Sequence, residues 1–140
     1  MSKELLSSVY VIQNALLVSK LSKRLDNQLS VHGISFTEFM IMRHLDGSPL
    51  KTMRRIELAE HVGISASGVT RLIAPMEKNK IVEKMANPRD ARQSLVKLSK
   101  TGQQLYQDAK ISFEHCADNI VSDLSKNQLE KLIELTGRIR

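Results

Sequence analysis

The chain has 140 residues, of which 21 are Lys or Arg, 15 are Asp or Glu and one is Cys. This length predicts a single domain with a hydrophobic core of its own, and a lone cysteine excludes an intrachain disulfide. No apolar run exceeds four residues and Met1 to Leu6 lacks a signal-peptide core, so we expect a cytoplasmic protein that does not span a membrane.

The basic charge is concentrated in the first hundred residues. Residues 1–100 hold 16 basic and 9 acidic side chains, a net charge of +7, whereas residues 101–140 hold 5 and 6, a net charge of −1. A localised basic surface indicates a polyanionic partner such as nucleic acid, although many basic proteins bind none. Aromatic residues make up 4% of the chain and do not alternate with basic ones, which favours duplex DNA over single strands.

The first predicted element is a long helix over about Lys3 to Val31, which Gly33 ends. Apolar residues recur along it at steps of three and four, from Leu5 to Leu29. Such a long apolar stripe exceeds what one small domain covers, so we expect a partner chain to cover it.

Two helices around a glycine turn follow. Ser35 and Glu38 form a capping box that begins a helix ending at Gly47-Ser48-Pro49. A short helix from Arg55 to Val62 then meets, across Gly63, a helix that Ser65 caps and that runs to about Asn79. This order is the helix-turn-helix pattern.

The next segment predicts an antiparallel hairpin. Ile81 to Ala86 and Leu95 to Leu98 have strand composition and flank a polar, charged segment over residues 87–94. Ser99 then caps a helix to about Asp123, and Ser125 with Gln128 caps a last one. The predicted fold is mainly α, a winged helix-turn-helix with about six helices and a two-stranded β-wing.

The candidate DNA-contacting residues lie on the second helix of the motif and on the hairpin tip. A helix in the major groove presents its N-terminal side chains to base edges. An exposed arginine on a narrow wing suits the minor groove. Asp90 is predicted to orient Arg92 or to close the turn. The alternatives are an ordinary capped surface helix and a solvated charged loop. The candidates are Ser65, Ser67, Gly68, Thr70, Arg71, Arg89 and Arg92.

The wing segment resembles that of the MarR (multiple antibiotic resistance regulator) family of winged-helix repressors. Asp90-Ala91-Arg92 followed by Val96 to Gly102 is similar to the family's wing signature, Asp-x-Arg, a strand, Leu-Thr/Ser and Gly. Three stretches match the helix-turn-helix half, namely Ile56 to Ala59, Ser65 to Arg71 and Met76 to Asn79.

The resemblance implies a homodimer in which residues 1–34 and 100–140 dimerise and residues 35–99 form the DNA-binding lobe. It implies that the helix after Gly63 lies near the major groove and that Arg92 enters the minor groove. Arg54 and Arg55 are candidate phosphate contacts on charge and position alone.

Many members have Gly where this chain has Lys80, so we expect Lys80 to avoid the glycine conformation or Asn79 to adopt it. Pro75 removes one backbone donor late in the helix.

Many relatives release DNA when a small aromatic molecule binds a cleft between the dimer helices and the lobe. The candidate lining residues here are Tyr10, His32, Met40, Arg43 and Phe113, although core packing is the favoured explanation for most of them. We expect no cofactor and no metal, because no two of the four histidines have i,i+4 spacing. Cys116 lies in an apolar stripe, which favours a core role over redox sensing.

The sequence therefore predicts a sequence-specific, double-stranded DNA-binding transcription regulator and not an enzyme. We expect a repressor that binds a pseudo-palindromic operator as a homodimer and that a small-molecule effector releases. The alternative is a dimeric protein-interaction module that keeps the winged fold without binding DNA.

Overall fold

The computed structural model describes residues 1–90 and 92–140, and within them it has six α-helices and three β-strands. Ala91, part of the wing signature, lies outside the described residues. The elements are α1 (Lys3–Leu29), α2 (Phe36–Asp46), β1 (Thr52–Arg54), α3 (Arg55–Val62), α4 (Ala66–Lys78), β2 (Val82–Ala86), β3 (Ser94–Leu98), α5 (Lys100–Ile120) and α6 (Lys126–Thr136), with 3₁₀ turns at Ser30–His32 and Pro49–Lys51.

Serine caps begin most of the helices, as predicted. The Ser35 and Ser125 capping boxes are confirmed, since in each the serine side chain and the third helical residue satisfy each other's backbone N–H. Ser65 and Ser99 each accept a hydrogen bond from a glycine N–H three residues on. Gly33 and Gly63 follow helical turns in the left-handed conformation, which lets the chain reverse direction there.

The sheet has three antiparallel strands in the order β1-β3-β2, so the predicted two-stranded wing was incomplete. Thr52–Arg54 pairs with the central strand β3, Met53 lying opposite Val96. A three-residue strand shows too little alternation to be recognised from sequence, and its partner lies more than forty residues further along the chain. The added strand ties the wing base to the segment that enters α3.

The core of the lobe is closed by α2, α3, α4, β3 and the first half of α5. Phe39, Leu58, Ile73 and Val96 are each at most 1% exposed, and they represent four of these elements. The helix α5 lies so close to the start of β2 that a Cβ on Gly102 would overlap the Ile81 carbonyl oxygen. The lobe therefore has an interior that one chain completes.

The terminal helices are different. Every residue from Met1 to Lys20 is exposed, and α1 buries only Leu25 and Leu29, near the end that packs against α2 and α5. Contrary to the expectation from short apolar runs, the helical stretch Lys3–His32 is long and apolar enough to cross a membrane by length and composition alone. A single helix of this kind near the N-terminus is weak evidence for a membrane span, because core helices of soluble proteins and signal sequences meet the same criterion.

Three details differ from the sequence-based expectations. The α-helical part of α1 ends at Leu29 and α5 ends at Ile120, each a few residues earlier than predicted. The expectation for Lys80 was wrong, because Lys80 itself adopts φ +62° while Asn79 stays at φ −85°. The reason is a Schellman ending of α4, in which the N–H of Ile81 donates to the Met76 carbonyl at 2.9 Å.

Candidate nucleic-acid interface

The helix α4 presents one buried face and one exposed face. Val69, Ile73 and Met76 are fully buried in the lobe. The candidates Ser67, Thr70 and Arg71 are exposed on the other side. Because residues three and four apart share a helix face, these three side chains form one outward surface at the start of α4.

Two other candidates, the N-cap Ser65 and Gly68, stabilise the first turn of α4. The Ser65 hydroxyl accepts the N–H of Gly68 at 3.0 Å and lies 3.1 Å from the Ser67 hydroxyl. A Cβ on Gly68 would lie 3.2 Å from the Ser65 Oγ, so a larger residue there crowds the cap. Ser65 and Gly68 therefore fix where α4 begins, and they also let the backbone of this end approach a ligand closely.

The wing tip between β2 and β3 is closed by side-chain to backbone hydrogen bonds. The N–H of Arg89 donates to Asn87 Oδ1 at 2.9 Å, and the N–H of Arg92 donates to Asp90 Oδ1 at 3.0 Å. Arg89 and Arg92 are both exposed. The Asp90 contact is the kind that the turn-closing alternative requires.

The two adjacent arginines at the start of α3 have different surroundings. Arg54, the N-cap of α3, donates from Nε to Glu57 Oε1 in the first turn at 2.8 Å, and this hydrogen bond raises the pKa of Arg54 and lowers the pKa of Glu57. Arg55 instead donates to Glu77 on α4 and to Ser94 on β3, each at 3.2 Å. No local sequence pattern indicates these two partners, which lie 22 and 39 residues away.

A pocket of about 280 Å³ lies between α2 and α5. Phe39 stacks against Tyr106 and is tilted against Phe113, with ring centroids 5.4 and 4.8 Å apart, and burial raises the pKa of Tyr106. Of the five effector-pocket candidates, the structure brings together Arg43 and Phe113. The other lining residues are Phe39, Asp46, Gly47, Tyr106, Lys110 and Glu114.

The remaining three effector-pocket candidates lie elsewhere. Tyr10 is on the exposed half of α1, and Met40 is half-buried without lining this pocket. His32 Nε2 lies 2.7 Å from Ser112 Oγ and joins the 3₁₀ turn after α1 to α5. Cys116 is buried at 3% exposure.

This arrangement defines a class of protein. An exposed, capped helix follows a glycine turn, and beside it a three-stranded sheet projects a hairpin with an arginine-rich tip. The chain is therefore a winged helix-turn-helix protein.

The comparisons with known proteins point to one family. The MarR family model matches residues 34–94, which run from just before α2 to the first residue of β3. The chain is 24% identical over 121 residues to the transcriptional repressor MprA of Escherichia coli strain K12, covering 86% of this chain and 69% of that protein.

Solved structures agree with that match. A MarR family transcriptional regulator from Streptomyces coelicolor, in complex with DNA, superposes with a TM-score of 0.82 at 25% identity, covering 96% of this chain and 82% of that one. A MarR mutant from Escherichia coli complexed with operator DNA shares the fold, with a TM-score of 0.83 at 19% identity and 96% and 94% coverage. The chain is therefore similar to MarR family transcriptional regulators in its lobe and in its overall fold, which confirms the predicted resemblance, and these relatives are transcriptional regulators and not enzymes.

Proposed function

We propose that this chain is a cytoplasmic transcription repressor that binds a pseudo-palindromic operator in double-stranded DNA as a homodimer. The observation that carries the proposal is the exposed start of α4 beside a wing whose tip holds Arg89 and Arg92. The capture of similar regulators on DNA supports the partner, and the name of the relative MprA supports repression.

The proposed contacts divide into two groups. Ser67, Thr70 and Arg71 face base edges in the major groove, while Ser65 and Gly68 let the helix end approach the phosphates. Arg92 enters the minor groove, where the negative potential is focused, and Arg54 contacts phosphate. Two copies related by a twofold axis present two such surfaces to successive major grooves about 34–36 Å apart.

The uncovered helices support the homodimer. Apolar side chains on α1 and α6 are half exposed or more in the single chain, among them Leu5 at 51%, Ile12 at 62% and Ile133 at 71%. An exposed apolar surface of this extent marks an interface. A second copy covers both helices in one symmetric contact, because each chain then offers the same patch to the other.

The test of DNA binding starts with selection from a pool of random duplexes, followed by fluorescence anisotropy at several salt concentrations. A recovered near-palindrome with steeply salt-dependent affinity supports the regulator. Arg92→Ala is expected to weaken binding by about 1–3 kcal/mol. An unchanged affinity removes the wing from the mechanism. The absence of salt-sensitive binding favours the alternative, a protein-interaction module with a winged fold.

The α2–α5 pocket is the place that we propose for a small aromatic effector. Its aromatic rings offer stacking surfaces, and Arg43 offers positive charge to an aromatic carboxylate, while Lys110 lies 3.8 Å from the Glu114 carboxylate. The probe is benzoate added to the preformed DNA complex. Release of DNA that Phe113→Ala abolishes supports this site, and release that is unaffected by Phe113→Ala places the effector elsewhere.

A further inference from the structure

Arg54 and Arg55 are neighbours in sequence, but they are held in different ways. The Arg54 side chain is 44% exposed and pairs with Glu57, three residues further along in the first turn of α3. The Arg55 side chain is 23% exposed and pairs with Glu77 on the neighbouring helix α4. Arg55 is therefore the less accessible of the two to a phosphate, and its Nε and Nη2 already donate to protein partners.

The contacts of Arg55 join three separate elements. Its Nη2 donates to Glu77 Oε1 in the last turn of α4, and its Nε donates to Ser94 Oγ at the first residue of β3. Ser94 follows the wing tip directly and pairs with Ala86 at the end of β2. One guanidinium thus bonds both the helix that carries the major-groove residues and the base of the wing.

We propose that Arg55 is a positioning residue that sets the angle of the wing relative to α4, and that it is not a phosphate contact. The proposal rests on the DNA-binding function proposed above. The two grooves of a duplex lie at fixed positions, so the start of α4 and the tip at Arg92 must hold a fixed separation to bind together. If the Arg55 contacts are lost, the wing base becomes more mobile and has to be ordered when DNA binds. This ordering cost weakens the affinity for DNA, although every protein–DNA contact is kept.

The nearly isosteric variant Glu77→Gln removes one negative charge, and the two possible roles of Arg55 predict changes in DNA affinity of opposite sign. If Arg55 contacted phosphate, removing the Glu77 carboxylate would free the guanidinium and remove a negative charge near DNA, and binding would tighten. A positioning role predicts the opposite, a weakening of about three- to tenfold. The matched control is Glu57→Gln, which makes the same charge change beside Arg54 and is expected to tighten binding.

The salt dependence gives a second distinction. Loss of a phosphate contact lowers the slope of log affinity against log salt by about one. Arg55→Ala is expected to weaken binding with an unchanged slope, whereas Arg54→Ala lowers the slope. A lowered slope for Arg55→Ala overturns the proposal.

A double-mutant cycle shows whether Arg55 acts through the wing. If it positions Arg92, then Glu77→Gln costs little once Arg92→Ala has removed the tip contact. Equal losses in both backgrounds mean that Glu77 and Arg55 do not act through Arg92, which overturns the proposal. A general loss of stability does not produce this coupling, since it is independent of the tip.

Hydrogen exchange of the DNA-free protein tests the geometry by itself. Glu77→Gln is expected to speed amide exchange in β2 and β3 while leaving the centre of α5 unchanged. Unchanged exchange in both strands overturns the proposal. If the native protein binds no duplex, the proposed function fails, while this comparison still decides whether Arg55 holds the wing.

Discussion

The winged lobe and the terminal helices use apolar residues in opposite ways. In the lobe, α4 has two faces. One is buried, with Ile73 and Met76 fully covered, and the other is exposed and carries polar side chains. In α1, Val11 is 64% exposed and Leu16 is 60% exposed, and no residue before Leu25 is buried. The lobe therefore completes its core within one chain, whereas α1 and α6 present surface that a second chain is proposed to cover.

Burial in the lobe therefore stabilises the folded chain, whereas the exposed apolar side chains of α1 and α6 are proposed to stabilise the dimer. A side chain that is buried within the lobe contributes about 1.5–3 kcal/mol to folding. The same side chain on the exposed half of α1 is buried only when a second chain binds, so it contributes to the free energy of dimerisation and not to the folding of the single chain. Substitutions in the two regions should accordingly change different measured quantities.

The largest effect is expected from charges on α1. Ile12→Glu combined with Leu16→Glu places four carboxylates in the proposed twofold interface, where covering them removes their hydration. We expect the dimer dissociation constant to rise at least about 100-fold, measured by sedimentation equilibrium.

The matched control is Leu50→Glu. Leu50 is 86% exposed in the 3₁₀ turn Pro49–Lys51 and lies outside α1 and α6, so the same chemical change is expected to leave dimerisation unaltered. Equal effects of the two variants, or no effect of the α1 pair, would remove α1 from the interface.

The second effect belongs to the lobe. Gly102→Ala adds a Cβ that overlaps the Ile81 carbonyl oxygen and lies 2.8 Å from Leu98 Cδ1, so α5 must move away from β2. We expect the free energy of unfolding to fall by about 3 kcal/mol, measured by urea denaturation at fixed protein concentration. Gly137→Ala, whose added Cβ meets only its own last turn at 3.4 Å, serves as the control and should be nearly neutral.

Elements defined by local chemistry could be predicted from the sequence. The capping box at Ser35, the glycine turn at Gly63 and the cap at Ser65 each depend on residues within four positions, so their patterns are sufficient. Helix boundaries in the lobe were accordingly predicted to within a residue or two.

Features that depend on distant residues could not be predicted in this way. The strand β1 exists because β3 offers it a free edge, and Arg55 meets Glu77 and Ser94 only after the chain has folded. Lys80 was predicted from its own conformational preference, but the hydrogen bonds that end α4 impose the left-handed conformation on whichever residue stands there.

A smaller effect is expected at that position. Lys80 at φ +62° is strained because its Cβ crowds the backbone, and glycine relieves this at some cost in chain entropy. We expect Lys80→Gly to stabilise the lobe by about 0.5–1 kcal/mol, measured by urea denaturation. Lys78→Gly, inside the last turn of α4, should destabilise instead, and a destabilised Lys80→Gly would mean that the lysine side chain makes a contact worth more than the strain.

The smallest effect is expected from pH, and it also belongs to the lobe. His44 on α2 stacks on His61 of α3 with ring centroids 5.0 Å apart. Burial, and then the charges of His61 and Arg43, lower the pKa of His44 below its usual 6.5. The unfolded chain therefore takes up a proton at this residue more readily than the folded chain does, and protonation favours unfolding.

The sign of the pH effect follows from that direction. The stabilising contribution of neutral His44 is complete above pH 6.5 and is lost as the pH falls from 6.5 through the lowered pKa. His44→Gln is expected to flatten the pH dependence of the unfolding free energy in this window, measured by urea denaturation at a series of pH values. His115→Gln, on the exposed side of α5, should leave it unchanged. A slope that persists in His44→Gln would show that acid acts on the terminal helices or on another group, and that the α2–α3 contact does not respond to protonation.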